Sequence, residues 1–211
     1  IKDRIILDLG IYSKNTKDLL LNRPLSGVSG YTSITENIGS VKNSGVEIGL
    51  NTINFDNKDG FRWTTDFNIS FNKSEITELY NDEPLDFGYV NRFAVGHAFG
   101  EFYGYKFLNV DPATGDMVFD DLDDDGSITD ADRTFIGNPN PDFEGGLTNT
   151  FSYKGIELSA FIQFVQGNEI YNGTRSYSEA YYYDNLETRV LDRWRQPGDI
   201  TDVPRAYYAN P

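Results

Sequence analysis

The residues best placed to do chemistry sit in one twelve-residue run, Asp121-Leu-Asp123-Asp-Asp125-Gly126-Ser127-Ile-Thr-Asp-Ala-Asp132. Asp stands at positions 1, 3 and 5 of the run, Gly at 6 and the β-branched Ile128 at 8, the pattern of an oxygen-caging calcium loop. This spacing turns alternate carboxylates to one side of a curling backbone. Gly126 permits the sharp turn, the Ser127 carbonyl serves position 7, and Asp132 closes the shell. The expected Ca²⁺ ligands are therefore Asp121, Asp123, Asp125, Ser127 and Asp132. Position 12 is Asp rather than Glu, a shorter last ligand that also occurs in dockerin-type loops. The competing reading is a solvated acidic turn. A hard cation caged by protein oxygens pins a loop without reacting, so the role expected for it is structural.

Other chemistries find little support. The chain has no Cys, which excludes disulfide scaffolds, Cys-ligated zinc, iron–sulfur clusters and thiol catalysis. A single His, His97, excludes any site needing two imidazoles, and it reads as a loop residue rather than a base or ligand. Carboxylate pairs for glycoside hydrolysis can be drawn anywhere among 33 acids, so spacing identifies none. No phosphate-cradling Gly loop, nucleophile elbow or metallohydrolase helix occurs. No enzyme is expected. With 18 basic residues against those acids the net charge is −15, which argues against nucleic acid as a partner.

The elements that must position the loop are strands. From Phe61 to Asn72 the odd positions are Phe, Trp, Thr, Phe, Ile and Phe, and the even ones Arg, Thr, Asp, Asn, Ser and Asn. Twelve residues of period-2 alternation exceed the five or six typical of a soluble strand and match the roughly 9–11 of a tilted membrane-spanning one. Similar alternation marks residues 4–12, 45–55, 143–153 and 157–165, with a slip at Thr52–Ile53 that predicts a bulge. Short turns at 56–60 and 153–155 alternate with long connections at 13–41, 73–142 and 167–211. Bacterial barrels keep short turns on the periplasmic side and long loops outside, so the five strands are expected to run up, down, up, down, up. Glu101–Val110 would break that parity and is read as ordered structure within a loop. Leu186, Val190, Leu191 and Trp194 predict a helix within 178–195. Glu47, Arg62 and Asp66 face the expected lumen, and Tyr177, Tyr181, Tyr182 and Tyr183 are candidates to stack on sugars or pack on a partner.

The fold class expected is all-β: an antiparallel transmembrane β-barrel segment. Even the smallest barrel needs about eight strands. At roughly 42 residues per strand, a 22-stranded plugged transporter needs about 900 residues, so the chain reads as a middle-to-late section of one. The alternative is a soluble, secreted, calcium-stabilised carbohydrate-binding module, which predicts that Trp63, Phe67 and Phe71 are buried by protein.

Several stretches add a resemblance. Tyr12-Ser-Lys-Asn-Thr-Lys-Asp-Leu-Leu20, Asn37-Ile-Gly-Ser-Val-Lys-Asn-Ser-Gly-Val-Glu47 and Phe67-Asn-Ile-Ser-Phe-Asn72 are three. More specific is Asp111-Pro-Ala-Thr-Gly-Asp116 leading through the acidic loop into Asp132-Arg-Thr-Phe-Ile-Gly-Asn-Pro-Asn-Pro-Asp142, then Phe151-Ser-Tyr-Lys-Gly155 and Phe164-Val-Gln-Gly-Asn-Glu-Ile-Tyr-Asn172. Arg193-Trp194, Pro197-Gly198 and Val203-Pro-Arg205 fit as well. On these the chain resembles the SusC/RagA family of TonB-dependent outer-membrane transporters. The resemblance implies a 22-stranded barrel in outer-membrane lipid with an N-terminal plug, energised through TonB by parts outside these residues. It further implies a SusD-like surface lipoprotein as lid, a glycan or peptide cargo, and loops facing the cell exterior. It is compatible with a dimer of transporter–lipoprotein pairs.

Overall fold

The computed structural model of the chain describes residues 3–206 except 27, 29, 58–59 and 180–184. Two compact units emerge: residues Ile1–Glu101 with Asn138–Glu169, and Phe102–Gly137 with Ile170–Pro211. In the first, five long strands form one antiparallel sheet: β1 (Ile5–Pro24), β2 (Ser33–Asp56), β3 (Phe61–Glu78), β10 (Phe143–Tyr153) and β11 (Ile156–Gln166), in the order β1-β2-β3-β10-β11. The same unit holds the short pair β4 (Leu85–Phe87) and β5 (Asn91–Phe93).

Register decides what each face of the sheet carries, because directly paired residues point to the same side. One row across all five strands reads Leu7, Leu50, Phe67, Leu147, Ile162; another reads Leu9, Ile48, Ile69, Gly145, Phe164. The intervening row on the opposite face reads Asp8, Gly49, Asn68, Gly146, Gln163, and its neighbour Gly10, Glu47, Ser70, Glu144, Val165. The apolar row is not covered: Leu7, Leu9, Leu158 and Ile162 are all more than half exposed. Trp63 and Phe71 are also exposed and Phe67 is half-buried, so none of the three is buried as a soluble module requires. Along this face rings touch rings, Trp63 on Phe151 at 5.6 Å and Phe67 on Phe164 at 6.3 Å between centroids. The Trp63 indole N–H donates to the Asn149 side chain at 2.9 Å, so its one polar atom is satisfied beside the turn end of the sheet. Ten residues separate Phe61 from Phe71, about 34 Å of strand, or about 26 Å of height at a 40° tilt.

The strands exceed the expected lengths. The connection expected at 13–41 is largely a continuation of the β1–β2 hairpin, reducing the loop to residues 25–32. β3 likewise runs to Glu78. The alternation is masked there by irregular register between Thr16 and Leu20, where Asp18 takes φ 57°. The slip at Thr52–Ile53 is a real irregularity, placed between Ile53 and Phe55. Beyond the polar rows, the inward face turns apolar. Val41 and Ile76 pair there and pack with Leu79 and Phe93, flanked by Leu19, Leu21 and Leu85.

The second unit pairs β6 (Phe102–Tyr105) with β9 (Arg133–Gly137), and β7 (Phe107–Val110) with β8 (Met117–Phe119). The strand-like stretch 101–110 thus stays out of the five-stranded sheet. Among the described residues of 178–195 no α-helix carries Leu186, Val190, Leu191 and Trp194 on one face. An α-turn covers Arg175–Ser178 and a 3₁₀ turn Thr188–Asp192, each ended by a cap residue outside the helix it follows, with Glu187 and Arg193 extended. Trp194 is used instead as a clamp: its N–H donates to the Pro112 carbonyl at 3.0 Å, and its ring lies where a Cβ on Gly115 would sit. Tyr181, Tyr182 and Tyr183 lie outside the described residues; Tyr177 is exposed.

Gly45 is required by a close approach. A Cβ there would fall 2.5 Å from the Phe71 carbonyl oxygen and 2.6 Å from the Tyr12 hydroxyl, because the Tyr12 phenol end crosses this position to donate to the Asn72 side chain at 2.8 Å. Gly45→Val should therefore destabilise the folded full-length protein by about 1–3 kcal/mol through overpacking. Urea unfolding in bilayers measures this; a midpoint equal to that of the unmodified protein would contradict the packing described.

Candidate metal loop and inward wall

The acidic loop lies in the second unit, between β8 and β9. Its three-residue 3₁₀ turn, Asp130–Asp132, starts at Thr129, whose hydroxyl accepts from the Ala131 N–H while the Asp132 carboxylate accepts from the Thr129 N–H. Asp132 is fully buried and also accepts from the Leu122 N–H at 2.8 Å, tying the two ends of the loop together. Asp121 accepts from the Asp125 and Gly126 N–H groups, and Asp125 from that of Ser127. Gly126 takes φ +83°, as a position-6 glycine should.

Carboxylate oxygens of Asp121, Asp123 and Asp132 lie within 4.8 Å of one another. Asp125 is not part of that group; its carboxylate is turned to the Ser127 N–H. Desolvation pushes the Asp123 carboxyl up from its ordinary value against the opposing Asp125 N–H, which it accepts, and the nearby charges of Asp125, Asp132 and Asp121 add to the upward push. The Asp132 carboxyl is held below its ordinary value, first by the Thr129 N–H and then by those of Leu122 and Asp123, against the opposing effect of burial. Three carboxylates are thus converged by backbone donors, and their like charges crowd one another. A divalent cation relieves such crowding.

In the first unit Glu47, Arg62 and Asp66 share the polar face of the sheet: Glu47 is opposite Ser70, Asp66 opposite Asn51, and Arg62 between Asp56 and Ser152. Asn51 donates to Asp66. His97 accepts no isolated role: its Nδ1 is 2.8 Å from Glu101, whose other oxygen accepts from the Ala98 N–H at 3.0 Å. The polar residues that sequence reasoning missed are Tyr12, Asn72, Asn138, Asn140 and Asp142, which gather at one cleft of the first unit. The signal was present as Asn interleaved with Pro at 138–141, a stiffened segment bearing short amides.

No family model matches the chain. It is similar to the TonB-dependent receptor P3 of Formosa agariphila, 34% identical over 229 residues, spanning 96% of this chain and 22% of that protein. It is also similar to the TonB-dependent receptor SusC of Bacteroides thetaiotaomicron, 29% identical over 76% of this chain and 17% of that protein. Among solved structures it superimposes on a chain of the RagAB peptide transporter with a TM-score of 0.83 and 25% identity, over 97% of this chain and 24% of that one. The chain spans under a quarter of the length of each curated relative named.

Because Asp132 is held below its ordinary value, its contribution to loop order is complete above the usual carboxylate pKa of about 3.9 and is lost as pH falls through the lowered value. Protection factors of the Leu122 and Thr129 amides, measured against the intrinsic rate at each pH, should fall only in that acid range, and should be low at every pH in Asp132→Ala. Equal protection in the variant and the parent at neutral pH would contradict this.

Proposed function

We propose that this chain, which belongs to the SusC/RagA family of TonB-dependent receptors, builds part of the wall of an outer-membrane nutrient importer. In this reading the five-stranded sheet spans the membrane with its apolar face in lipid and its polar face toward an aqueous lumen. Further strands close the sheet, since β1 and β11 each leave a row of backbone N–H and C=O groups that lipid cannot satisfy. Uptake is energised by TonB through parts outside these residues, under a SusD-like surface lipoprotein, and the cargo is an oligosaccharide or a peptide. The observation that carries this is the uncovered apolar face, coherent across five strands and about 26 Å tall. That height matches the roughly 25 Å apolar band of membrane barrels.

Placing Arg at Phe67 or Ile162 should cost about 2–4 kcal/mol of folding free energy in bilayers, whereas Arg at Asn68 or Gln163 on the other face should cost less than about 1. Urea titration of the full-length protein in vesicles reads both. Equal costs on the two faces would sink the wall assignment.

The acidic loop is proposed to bind Ca²⁺ through Asp121, Asp123, Asp125, Ser127 and Asp132 and to pin residues 111–133. Asp121, Asp123 and Asp132 are already converged, and the Asp125 carboxylate, which accepts the Ser127 N–H, lies in the same loop. Equilibrium dialysis against radioactive Ca²⁺ should show one ion fewer per chain for the double variant Asp121→Ala/Asp125→Ala. Proteolysis within 111–133 should accelerate in that variant and, equally, in the parent with chelator. Equal ion content, or a loop indifferent to chelator, would contradict the proposal.

A further inference from the structure

The apolar face of the first unit's sheet is bordered by charge at one end in a sorted way. Its rows climb across β1, β2 and β3 from Leu7, Leu50 and Phe67 to Ile11, Val46 and Phe71, then to Ser13, Ser44 and Lys73, then to Asn15, Lys42 and Glu75. From the row of Leu7 to that of Ile11 no residue on this face of the five strands is ionic. The opposite face holds Asp8, Glu47, Asp66, Glu144 and Glu157. In a chain of net charge −15, the first charge met past the apolar rows is therefore a lysine, and the next row adds a second. Lys73 stands two residues past Phe71, about 7 Å of strand, or about 5 Å of height at a 40° tilt. That is the depth of the headgroup layer, which adds about 5–8 Å on each side of the hydrocarbon.

We infer that Lys42 and Lys73, with the Ser44 hydroxyl beside both, form a site for the phosphate of a membrane lipid, an assignment that rests on the wall reading above. Lys73 is 77% exposed and lies 3.3 Å from Glu75, a surface pair too weak to withhold it from a stronger anion. With Glu75 drawn to Lys73, Lys42 directly opposite is exposed and makes no ion pair among the described residues. A lipid phosphate offers only acceptors and negative charge, which two ammonium groups and a hydroxyl complement. Lysine stems lie along apolar surface while their heads stay at the interface, so both amines can meet one headgroup. The occupant is a lipid rather than a free anion because of the row beneath. Ile11 and Phe71 are exposed there, directly below the lysines, where the acyl chains of the same molecule lie. Glu75 sets a limit on the charge of the site, and those chains supply the affinity that two lysines and one carboxylate do not.

Native mass spectrometry of the full-length protein, released from detergent micelles, tests this with dioleoyl phosphatidic acid, dioleoylglycerol and inorganic phosphate. Phosphatidic acid should be retained at least about fivefold more than dioleoylglycerol, and Lys42→Gln and Lys73→Gln should each lower its retention about fivefold. Lys14→Gln is the matched control: it makes the same charge change on β1, but Lys14 pairs with Asn43 on the opposite face, so retention should not change. Heat-modifiable gel mobility certifies folding, and all three lysines are exposed. Equal retention of the two lipids, or equal loss in Lys14→Gln, overturns the site and leaves the wall reading, tested by Phe67→Arg, standing. Displacement of phosphatidic acid by an equal concentration of inorganic phosphate overturns the lipid assignment in favour of a free anion.

Discussion

Everything in the first unit depends on the coupling between pleat and register. A strand sends successive side chains to opposite faces, and an antiparallel pair aligns them, so one residue of slip anywhere would exchange lipid-facing and water-facing groups. Five strands hold the same phase across the row from Leu7 to Ile162, and again across the row from Asp8 to Gln163. Glycines enter where a large ring crosses a neighbour, as Tyr12 does at Gly45. The result is a sheet with two chemically opposed surfaces and almost nothing buried between layers.

That economy explains the sparse core. Among the described residues the buried hydrophobics are Val41, Ile76, Leu79, Phe93, Val110, Val190 and Val203. Four of them form one cluster, on the inward side beyond the polar rows, where the long β1–β2 hairpin and the segment after β3 fold together. A water-soluble chain of this length would need far more apolar burial to offset its conformational entropy. Here the solvent for the apolar face is proposed to be lipid, and the backbone is satisfied by the sheet ladder itself.

Much of this was legible in the residues. Phe61–Asn72 alternates so strictly that its two rows lie on opposite faces of one strand, and 143–153 and 157–165 begin and end within a residue of where the alternation places them. The acidic run converges Asp121, Asp123 and Asp132 as its spacing requires, although Asp125 turns to a backbone donor. What was illegible has physical causes. The extension of β1 and β2 is hidden by a positive-φ Asp18 and shifted register, which scramble the period-2 signal. The helix expected near Trp194 failed because helical spacing of a few apolar residues cannot see that the indole is claimed by Pro112, 82 residues away. The cleft is likewise assembled from Tyr12, Asn72 and Asn138–Asp142, segments distant in sequence, so no local pattern could announce it.

The central claim is that alternate residues of β3 face lipid and water. Spin labels placed singly at each position from 64 to 71 of the full-length protein in vesicles report this directly, through collision with oxygen, which partitions into lipid, and with a water-soluble nickel complex. The account predicts oxygen accessibility peaking at 67, 69 and 71 and nickel accessibility at 66, 68 and 70, with a period of two residues. Uniform accessibility along the segment, or burial of 67, 69 and 71 from both probes, would contradict it.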